Sequence, residues 1–204
     1  MISTALVHVV DDDPSVLDAL LLLLRSAGLE GQGHPSAEDF LSAWRPHHPA
    51  CAVLDVKMPG MSGLELQREM KRRGIDLPVV VITGHGDVAM AVQALKVGAL
   101  DFIEKPCDEE ALLLAVRDAL AQDQSRVGRM VELSELRARR ILLTEREREV
   151  MDLVVTGLLN KVVGSRLGIS ERTVEIHKAK VMHKMEARTL SDLIRMSIRL
   201  EGGV

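Results

Sequence analysis

The 204 residues predict an α/β domain, a five-stranded parallel sheet with helices on both faces, followed by a small all-α domain. Three observations carry that prediction. Up to about residue 122, short apolar runs ended by breakers alternate five times with helical patterns, as in a doubly wound parallel sheet. Beyond residue 141 the strand-like runs cease, and capped helical segments follow one another with glycine stops. Formal charge also changes sign: residues 1–141 hold 15 basic against 21 acidic residues, or −6, and residues 142–204 hold 11 against 9, or +2. The expected organisation is a front domain over 1–122, a helical linker over 123–141 and a back domain over 142–204.

Hydrophobic residues make up 47% of the chain and charged residues 27%, which suits packed cores in a soluble protein. The longest apolar block, Ala19 to Leu24, is far shorter than the roughly 18–20 residues a bilayer requires. The chain does not open with a basic region, an apolar block and a cleavage site in signal-peptide order. Cys51 and Cys107 match neither a disulfide framework nor zinc-ligand spacing. A cytoplasmic protein without membrane contact is expected. A net charge of +2 on the back domain is by itself a weak footprint for nucleic acid.

Ala5-Leu6-Val7-His8-Val9-Val10 is a β-prone run that ends at Asp11-Asp12-Asp13-Pro14. Three adjacent acids repel one another unless they are solvated, cap a helix or bind a cation. Pro14 suits a first helical turn, and Val16, Leu17, Leu20, Leu21 and Leu24 recur at helical spacing up to Gly28. Gly31 to Pro35 makes a poor second strand. Ser36 is placed to cap a short helix, with Glu38 and Asp39 in its first turn and Phe40, Leu41 and Trp44 on its apolar side. Cys51-Ala-Val-Leu runs straight into Asp55 before Met58-Pro59-Gly60 turns the chain, which reads as a buried strand. A helix over about Gly63–Arg73 carries Leu64 and ends in Lys71-Arg72-Arg73, a sign of charge that suits its C-terminus.

Leu77-Pro-Val-Val-Val-Ile-Thr83 is the clearest strand and stops at Gly84-His85-Gly86. A helix over about Asp87–Val97 stops at Gly98. A last short strand over Ala99–Ile103 is ended by Glu104-Lys105-Pro106. From Asp108 a helical pattern runs through Leu112, Val116 and Leu120 and continues into the linker. There Val127, Met130 and Val131 form a thin apolar stripe that would either pair with a partner helix or cover the front domain.

Parallel strands bring their carboxyl ends to one edge, where ligands of open α/β sheets bind. Asp11, Asp12, Asp55 and Thr83 stand at such ends, with Lys105 just past another. Each has an ordinary structural explanation when taken singly, and a strand-end aspartate commonly caps a loop. Together they are a specific set. Clustered carboxylates hold a hard cation such as Mg²⁺ through oxygen. With the metal and a lysine ammonium neutralising phosphoryl oxygens, the remaining carboxylate can attack phosphorus, and the Thr83 hydroxyl can donate to the arriving group.

The order Asp-Asp, Asp, Thr, Lys-Pro resembles the receiver domain of two-component response regulators, a flavodoxin-like fold, across residues 1 to about 122. That resemblance implies that Asp55 is the phosphoacceptor. It also implies that Asp11, Asp12, Asp55 and the Lys57 backbone carbonyl surround Mg²⁺, and that Lys105 pairs with phosphoryl oxygens. The Lys105–Pro106 peptide would be cis, and Phe102 falls at the aromatic switch position. Cys107 departs from the Phe or Tyr that commonly follows Lys-Pro, so packing of the next helix is expected to differ, and it reads as a small buried thiol.

Thr144-Glu-Arg-Glu147 forms a capping box for a helix bearing Val150, Met151, Val154 and Val155, with a stop at Gly157. A short helix from Asn160 carries Val162, Val163 and Leu167 and ends at Gly168. Ser170 caps a third helix, Glu171 to about Met185, and a fourth runs from Leu190 to about Arg199. Short helix, glycine turn and longer capped helix form a helix-turn-helix arrangement. On the third helix Val174, Val181, Met182 and Met185 share one face. Arg172, Glu175, Ile176, Ala179, Lys180 and His183 share the other, which a solvated surface would explain equally well.

Leu143 to Glu147, Gly157 to Lys161 and Ile169 to Lys178 resemble the LuxR-type DNA-binding domain over residues 142–200. The resemblance implies phosphate contacts from Lys161, Thr173, Lys178, Lys180 and Lys184, and base contacts from Glu175, Ile176 and Ala179. Glutamate can accept from the cytosine amino group, and Ile and Ala suit a thymine methyl. Val163-Gly164 stands where Ile-Ala is common, and an interior glycine costs a helix about 1 kcal/mol against alanine. None of His47, His48, His85, His177 or His183 has ligand spacing. Thr83-Gly-His-Gly-Asp87 resembles the FixJ branch of the FixJ/NarL family.

The expectation is a transcription regulator switched by a sensor histidine kinase, binding double-stranded promoter DNA and forming a homodimer when phosphorylated. Phosphate on Asp55 would draw in Thr83, let Phe102 turn inward and remodel the surface from about Met90 to Ile103. Its product would be a conformation rather than a turned-over substrate. A phosphohydrolase with an aspartyl-phosphate intermediate would usually need an acid two residues past the nucleophile, where Lys57 stands, and no cap domain is evident. A regulator that ignores phosphorylation would not need the complete acidic set.

Overall fold

The computed structural model describes residues 5–84 and 88–202, with side chains left aside for 88–91. The expected Asp87 helix start, His85 and the Met90 side chain lie outside the described residues. The chain divides into two compact units, residues 1–127 and 128–204. In the first, the strands are β1 (Leu6–Val10), β2 (Glu30–His34), β3 (Ala50–Asp55), β4 (Val79–Thr83) and β5 (Asp101–Glu104). Helices α1 (Pro14–Ser26), α2 (Ala37–Ala43), α3 (Gly63–Arg72) and α4 (Val88–Val97) connect them, and α5 (Glu109–Ile141) leaves the last strand. All pairings are parallel, in the order β2-β1-β3-β4-β5. The strand order reverses between β1 and β3, the crevice where such sheets take ligands.

Every residue of β3 is buried, because the sheet is covered on both sides. Ala50, Ala52 and Leu54 face one core with Phe40, Leu66 and Met70. Cys51 and Val53 face the other with Leu20, Leu24, Leu112 and Val116. That alternation explains why the strand reads as a continuous apolar run. Among the described residues no helix is long and apolar enough to cross a membrane.

The second strand is real, and its weak sequence signal has a packing cause. A Cβ at Gly31 would lie 2.7 Å from Leu21 Cδ2, and one at Gly33 would lie 3.1 Å from Leu21 Cδ1. The α1 leucines press onto this edge strand where a side chain would obstruct them. The three adjacent acids divide their roles, since Asp13 caps α1 by accepting from the Ser15 N–H while Asp11 and Asp12 remain at the strand end. Boundaries move by one or two residues elsewhere: β4 starts at Val79 rather than Leu77, and β5 covers Asp101–Glu104 rather than Ala99–Ile103.

Helix α5 is continuous over 33 residues and begins in the first unit and ends in the second. In the segment read as linker, Asp123 is fully buried in the first unit, and Leu136 is buried against Leu143, Met151 and Val181 in the second. Met130 and Val131 of the thin stripe are more than half exposed.

The second unit comprises α6 (Glu145–Val154), α7 (Asn160–Leu167), α8 (Glu171–Met185) and α9 (Leu190–Glu201) with the end of α5. The expected capping box of Thr144 and Glu147 is present, and Gly168 ends α7 in the left-handed conformation at φ 65°. Val174, Val181 and Met185 are buried as their spacing predicts, with Met182 half-buried. Gly164 is more than a weak point of α7. It is buried, and a Cβ there would lie 2.7 Å from the Ile169 carbonyl oxygen, so its small size lets α7 approach the turn into α8.

Candidate functional site

Strand register alone brings the expected residues together. Val10 pairs with Leu54, so the next residues, Asp11 and Asp55, end adjacent strands side by side. Asp55 pairs with Ile82 and Thr83 with Glu104, which places Thr83 and Lys105 on the same edge. Lys105 Nζ then lies 2.7 Å from Asp11 Oδ2 and 2.8 Å from Asp55 Oδ1. Asp55 Oδ2 accepts from the Lys57 N–H at 2.9 Å, and Asp11 Oδ1 accepts from the Asp13 N–H at 2.9 Å. Asp11 and Asp55 are buried and Asp12 is exposed.

Burial raises the Asp55 carboxyl above its ordinary pKa, against the hydrogen bond and charge of Lys105. Burial alone would lower Lys105, but its hydrogen bonds to Asp11 and Asp55 raise it, so the ammonium stays charged. Oxygens from Asp11, Asp12 and Asp55 all lie within 4.8 Å of one another. One ammonium cannot balance three carboxylates, and an all-oxygen donor set of this kind fits Mg²⁺.

Thr83 is buried beside this cluster, its hydroxyl donating to the Gly84 carbonyl at a long 3.4 Å. Phe102 is 39% exposed and so points outward. Lys105–Pro106 is cis, and so is His48–Pro49, which nothing in the sequence indicated. Cys107 is half-buried rather than buried, packs at the edge of the α1/α5 core, and has its thiol pKa raised by that burial.

Gly63 has a positioning part that the sequence did not reveal. A Cβ there would lie 2.1 Å from the Asp55 carbonyl oxygen, because the start of α3 rests on the strand end. The only signal was a glycine just after Ser62, the α3 N-cap. Gly63→Ala is therefore expected to destabilise the first unit by about 1–3 kcal/mol, as overpacking does. Urea unfolding of the variant checks this, and wild-type stability would show that α3 is free to withdraw.

Two buried polar networks carry no signal in the sequence. His8 Nδ1 lies 3.1 Å from His34 Nε2, and His34 Nδ1 lies 3.1 Å from Asp39 Oδ2, beside Phe40 and Trp44. Burial, with His34 and His47 nearby, pushes His8 down to about 4, so it is neutral at physiological pH. At the opposite sheet edge Asp123 accepts from the Ala50 N–H at 3.0 Å, pairs with His48 at 2.7 Å and accepts from Arg126 at 2.7 Å. Burial alone would raise Asp123, and these hydrogen bonds offset it and hold the carboxyl below its ordinary value. Each network depends on a pair distant in sequence, His8 with His34 and His48 with Asp123, which leaves no local signature.

In the second unit, Glu175, Ile176, Ala179 and Lys180 are exposed along α8, and Lys161 is exposed near the start of α7. Ile176 is 50% exposed, an apolar side chain whose position no core explains. Thr173 and Lys178 are half-buried, and the Thr173 hydroxyl lies 2.7 Å from that of Ser170. Lys184 is set apart from the other basic residues. Its ammonium lies 2.6 Å from Glu147 Oε2 and donates to the Leu142 carbonyl at 3.1 Å, tying α8 to the start of α6.

The hydrogen bond from Lys184, with the Thr144 N–H, lowers Glu147 from 4.5 to about 2. A folded-state pKa below the unfolded one contributes stability in full above about pH 4.5 that is lost as pH falls towards 2. The second unit is thus expected to melt at progressively lower temperature across that window. Lys184→Met, which takes a hydrogen-bond partner from the buried Glu147 carboxylate, should cost about 1–3 kcal/mol at neutral pH. Calorimetry at several pH values checks both, and a Glu147→Gln variant with the same acid profile as wild type would refute the assignment.

A family model of the response regulator receiver domain matches residues 7–117, and one of the LuxR family of bacterial regulatory proteins matches residues 142–197. The chain is 47% identical to the transcriptional regulatory protein FixJ of Azorhizobium caulinodans, over 94% of this chain and 91% of that protein. It is 46% identical to nodulation protein W of Bradyrhizobium diazoefficiens, over 95% of this chain and 85% of that protein. The solved structure of the response regulator StyR matches with a TM-score of 0.86 at 41% identity, covering 97% of this chain and 100% of that one.

Proposed function

Because this chain belongs to the FixJ-type response regulators and is a transcription regulator controlled by phosphorylation, we propose that Asp55 is the residue that takes the phosphoryl group. The observation that carries the proposal is the adjacency of Asp55, Asp11 and Lys105 at the sheet edge, within 2.8 Å of a shared ammonium. An Asp55 carboxylate oxygen attacks phosphorus, a new P–O bond forms, and the bond to the donor breaks with its electron pair leaving on the donor atom. Lys105 neutralises charge on the phosphoryl oxygens, and Thr83 donates its hydroxyl to one of them. Mg²⁺ held by Asp11, Asp12, Asp55 and the Lys57 backbone carbonyl would supply further neutralisation of the transferring group.

The donor is a sensor histidine kinase in this reading, and the output is carried by Thr83 moving toward the phosphoryl group and Phe102 turning inward. The phosphorylated protein then dimerises and reads two half-sites of promoter DNA. Residues 1–122 act as receiver, 123–141 as linker and 142–204 as the DNA-binding domain, in the cytoplasm. Lys161, Thr173, Lys178 and Lys180 contact phosphates, while Glu175, Ile176 and Ala179 face bases. Lys184 reaches DNA only by releasing Glu147, so its first role is structural.

Treatment of the full chain with acetyl phosphate and Mg²⁺ is expected to add the mass of one phosphoryl group, located on a peptide containing Asp55. It should also tighten binding to duplexes selected from a randomised pool and shift the sedimentation coefficient toward a dimer. Phosphate on another residue, or DNA affinity indifferent to full phosphorylation, would overturn the reading.

A further inference from the structure

Phe102 stands on the face of the sheet that α4 covers. Residues in register on parallel strands point to the same side, and Phe102 pairs with Val81. Val81 is buried in the core that holds Ala94 of α4 and Ala99 just beyond it. Ile103, next to Phe102, is buried in the other core, as alternation requires. Thr83, two residues past Val81, belongs to the same face as Phe102. A Phe102 ring that turns inward therefore enters space roofed by α4. Interiors are close-packed, so α4 has to yield for the ring to be admitted.

The C-terminal end of α4 is held by a neighbouring helix. The last carbonyls of a helix have no partners within it. The Val97 carbonyl accepts a hydrogen bond from the ammonium of Lys71, which stands in the last turn of α3. Positive charge also suits that end of a helix dipole. Gly98 makes room for the contact, since a Cβ there would lie 2.9 Å from Lys71 Nζ. A cavity of about 280 Å³ borders the same end, lined by Met70, Lys71, Leu77, Gly98 and Leu100 among others. A released helix end thus has space to move into.

We propose that Lys71 is a positioning residue, a latch that holds the end of α4 while Phe102 points outward and so opposes the switched form. This rests on the reading of Asp55 as phosphoacceptor, with Thr83 and Phe102 as the moving parts. Coupling between sites is reciprocal, so removing the latch must also tighten the hold of the Asp55 site on a phosphoryl group. Loss of a positive charge would by itself weaken binding of an anion, so the two causes have opposite signs.

The test titrates the full-length protein with beryllofluoride, a phosphoryl mimic, and Mg²⁺. Ring-labelled phenylalanine follows Phe102, with only two signals because the chain has two phenylalanines. Lys71→Met is expected to bind beryllofluoride about two- to fivefold more tightly than wild type, the range that a charge at a helix terminus supports. Its Phe102 signal should be displaced toward the bound position before any beryllofluoride is added. Lys71→Arg, which keeps a donor and a charge, should match wild type in both respects. The proposal is overturned if Lys71→Met binds no more tightly than wild type, or if Lys71→Arg behaves like Lys71→Met. Beryllofluoride binding that survives Asp55→Asn would instead sink the Asp55 reading, and the Phe102 signal of Lys71→Met would still decide the latch.

Discussion

Asp55→Asn is expected to take up no phosphoryl group at all from acetyl phosphate and Mg²⁺ while remaining folded. An amide oxygen lacks the charge and basicity needed to attack phosphorus, so the loss is complete rather than partial. The replacement is close in shape, and its carbonyl oxygen can still accept from the Lys57 N–H that now bonds Oδ2 at 2.9 Å. Asp55 is buried next to Asp11, so removing one of two neighbouring negative charges relieves repulsion. The variant should therefore melt at or above the wild-type temperature in the absence of Mg²⁺. Intact mass and thermal unfolding measure the two halves separately. Stoichiometric phosphate on the variant would place the acceptor elsewhere.

Lys105→Met should have the largest effect on stability, a loss of about 3–5 kcal/mol at neutral pH without Mg²⁺. The ammonium holds Asp11 at 2.7 Å and Asp55 at 2.8 Å, and both carboxylates are buried. Without it they face each other with no cation. The loss should depend on pH with a definite sign. Burial already raises Asp55, and removing Lys105 raises it further, so the folded variant binds more protons than the unfolded chain. Its stability is then higher at low pH and falls as pH rises through the folded-state value of Asp55. Mg²⁺ should restore part of the loss by returning positive charge to the cluster. The double variant Asp55→Asn, Lys105→Met should be more stable than Lys105→Met alone. Denaturant titrations of wild type, the two single variants and the double variant at two pH values decide the matter, and a double variant whose change from wild type equals the sum of the two single changes would rule out this coupling.

The sheet edge was legible in the sequence because each of its residues follows an apolar run closed by a breaker. Val10 before Asp11, Leu54 before Asp55 and Ile82 before Thr83 are local signals, and a parallel sheet needs only its strand order to align them. The second strand was harder to see because Gly31 and Gly33 weaken its pattern, and the reason for those glycines is Leu21 on another element. Gly63 and Gly164 carry the same lesson. Each reads locally as a helix-weakening residue, and each is needed where another backbone segment comes within 3 Å of a would-be Cβ. Lys184 counted among several lysines on a basic helix until Glu147, 37 residues away, turned out to hold it.

What the sequence determined by itself is therefore the set of parts: five strands, the helices between them, the acids and lysine at the strand ends, and a capped helix-turn-helix behind them. These follow from apolar periodicity, caps and breakers, which act over a few residues and leave a local pattern. What only the tertiary structure decided is which polar groups are matched to which. Asp123 with His48, His8 with His34 and Glu147 with Lys184 all depend on residues distant in the chain meeting in a buried place. Burial makes such pairings energetically decisive, and no local pattern encodes them.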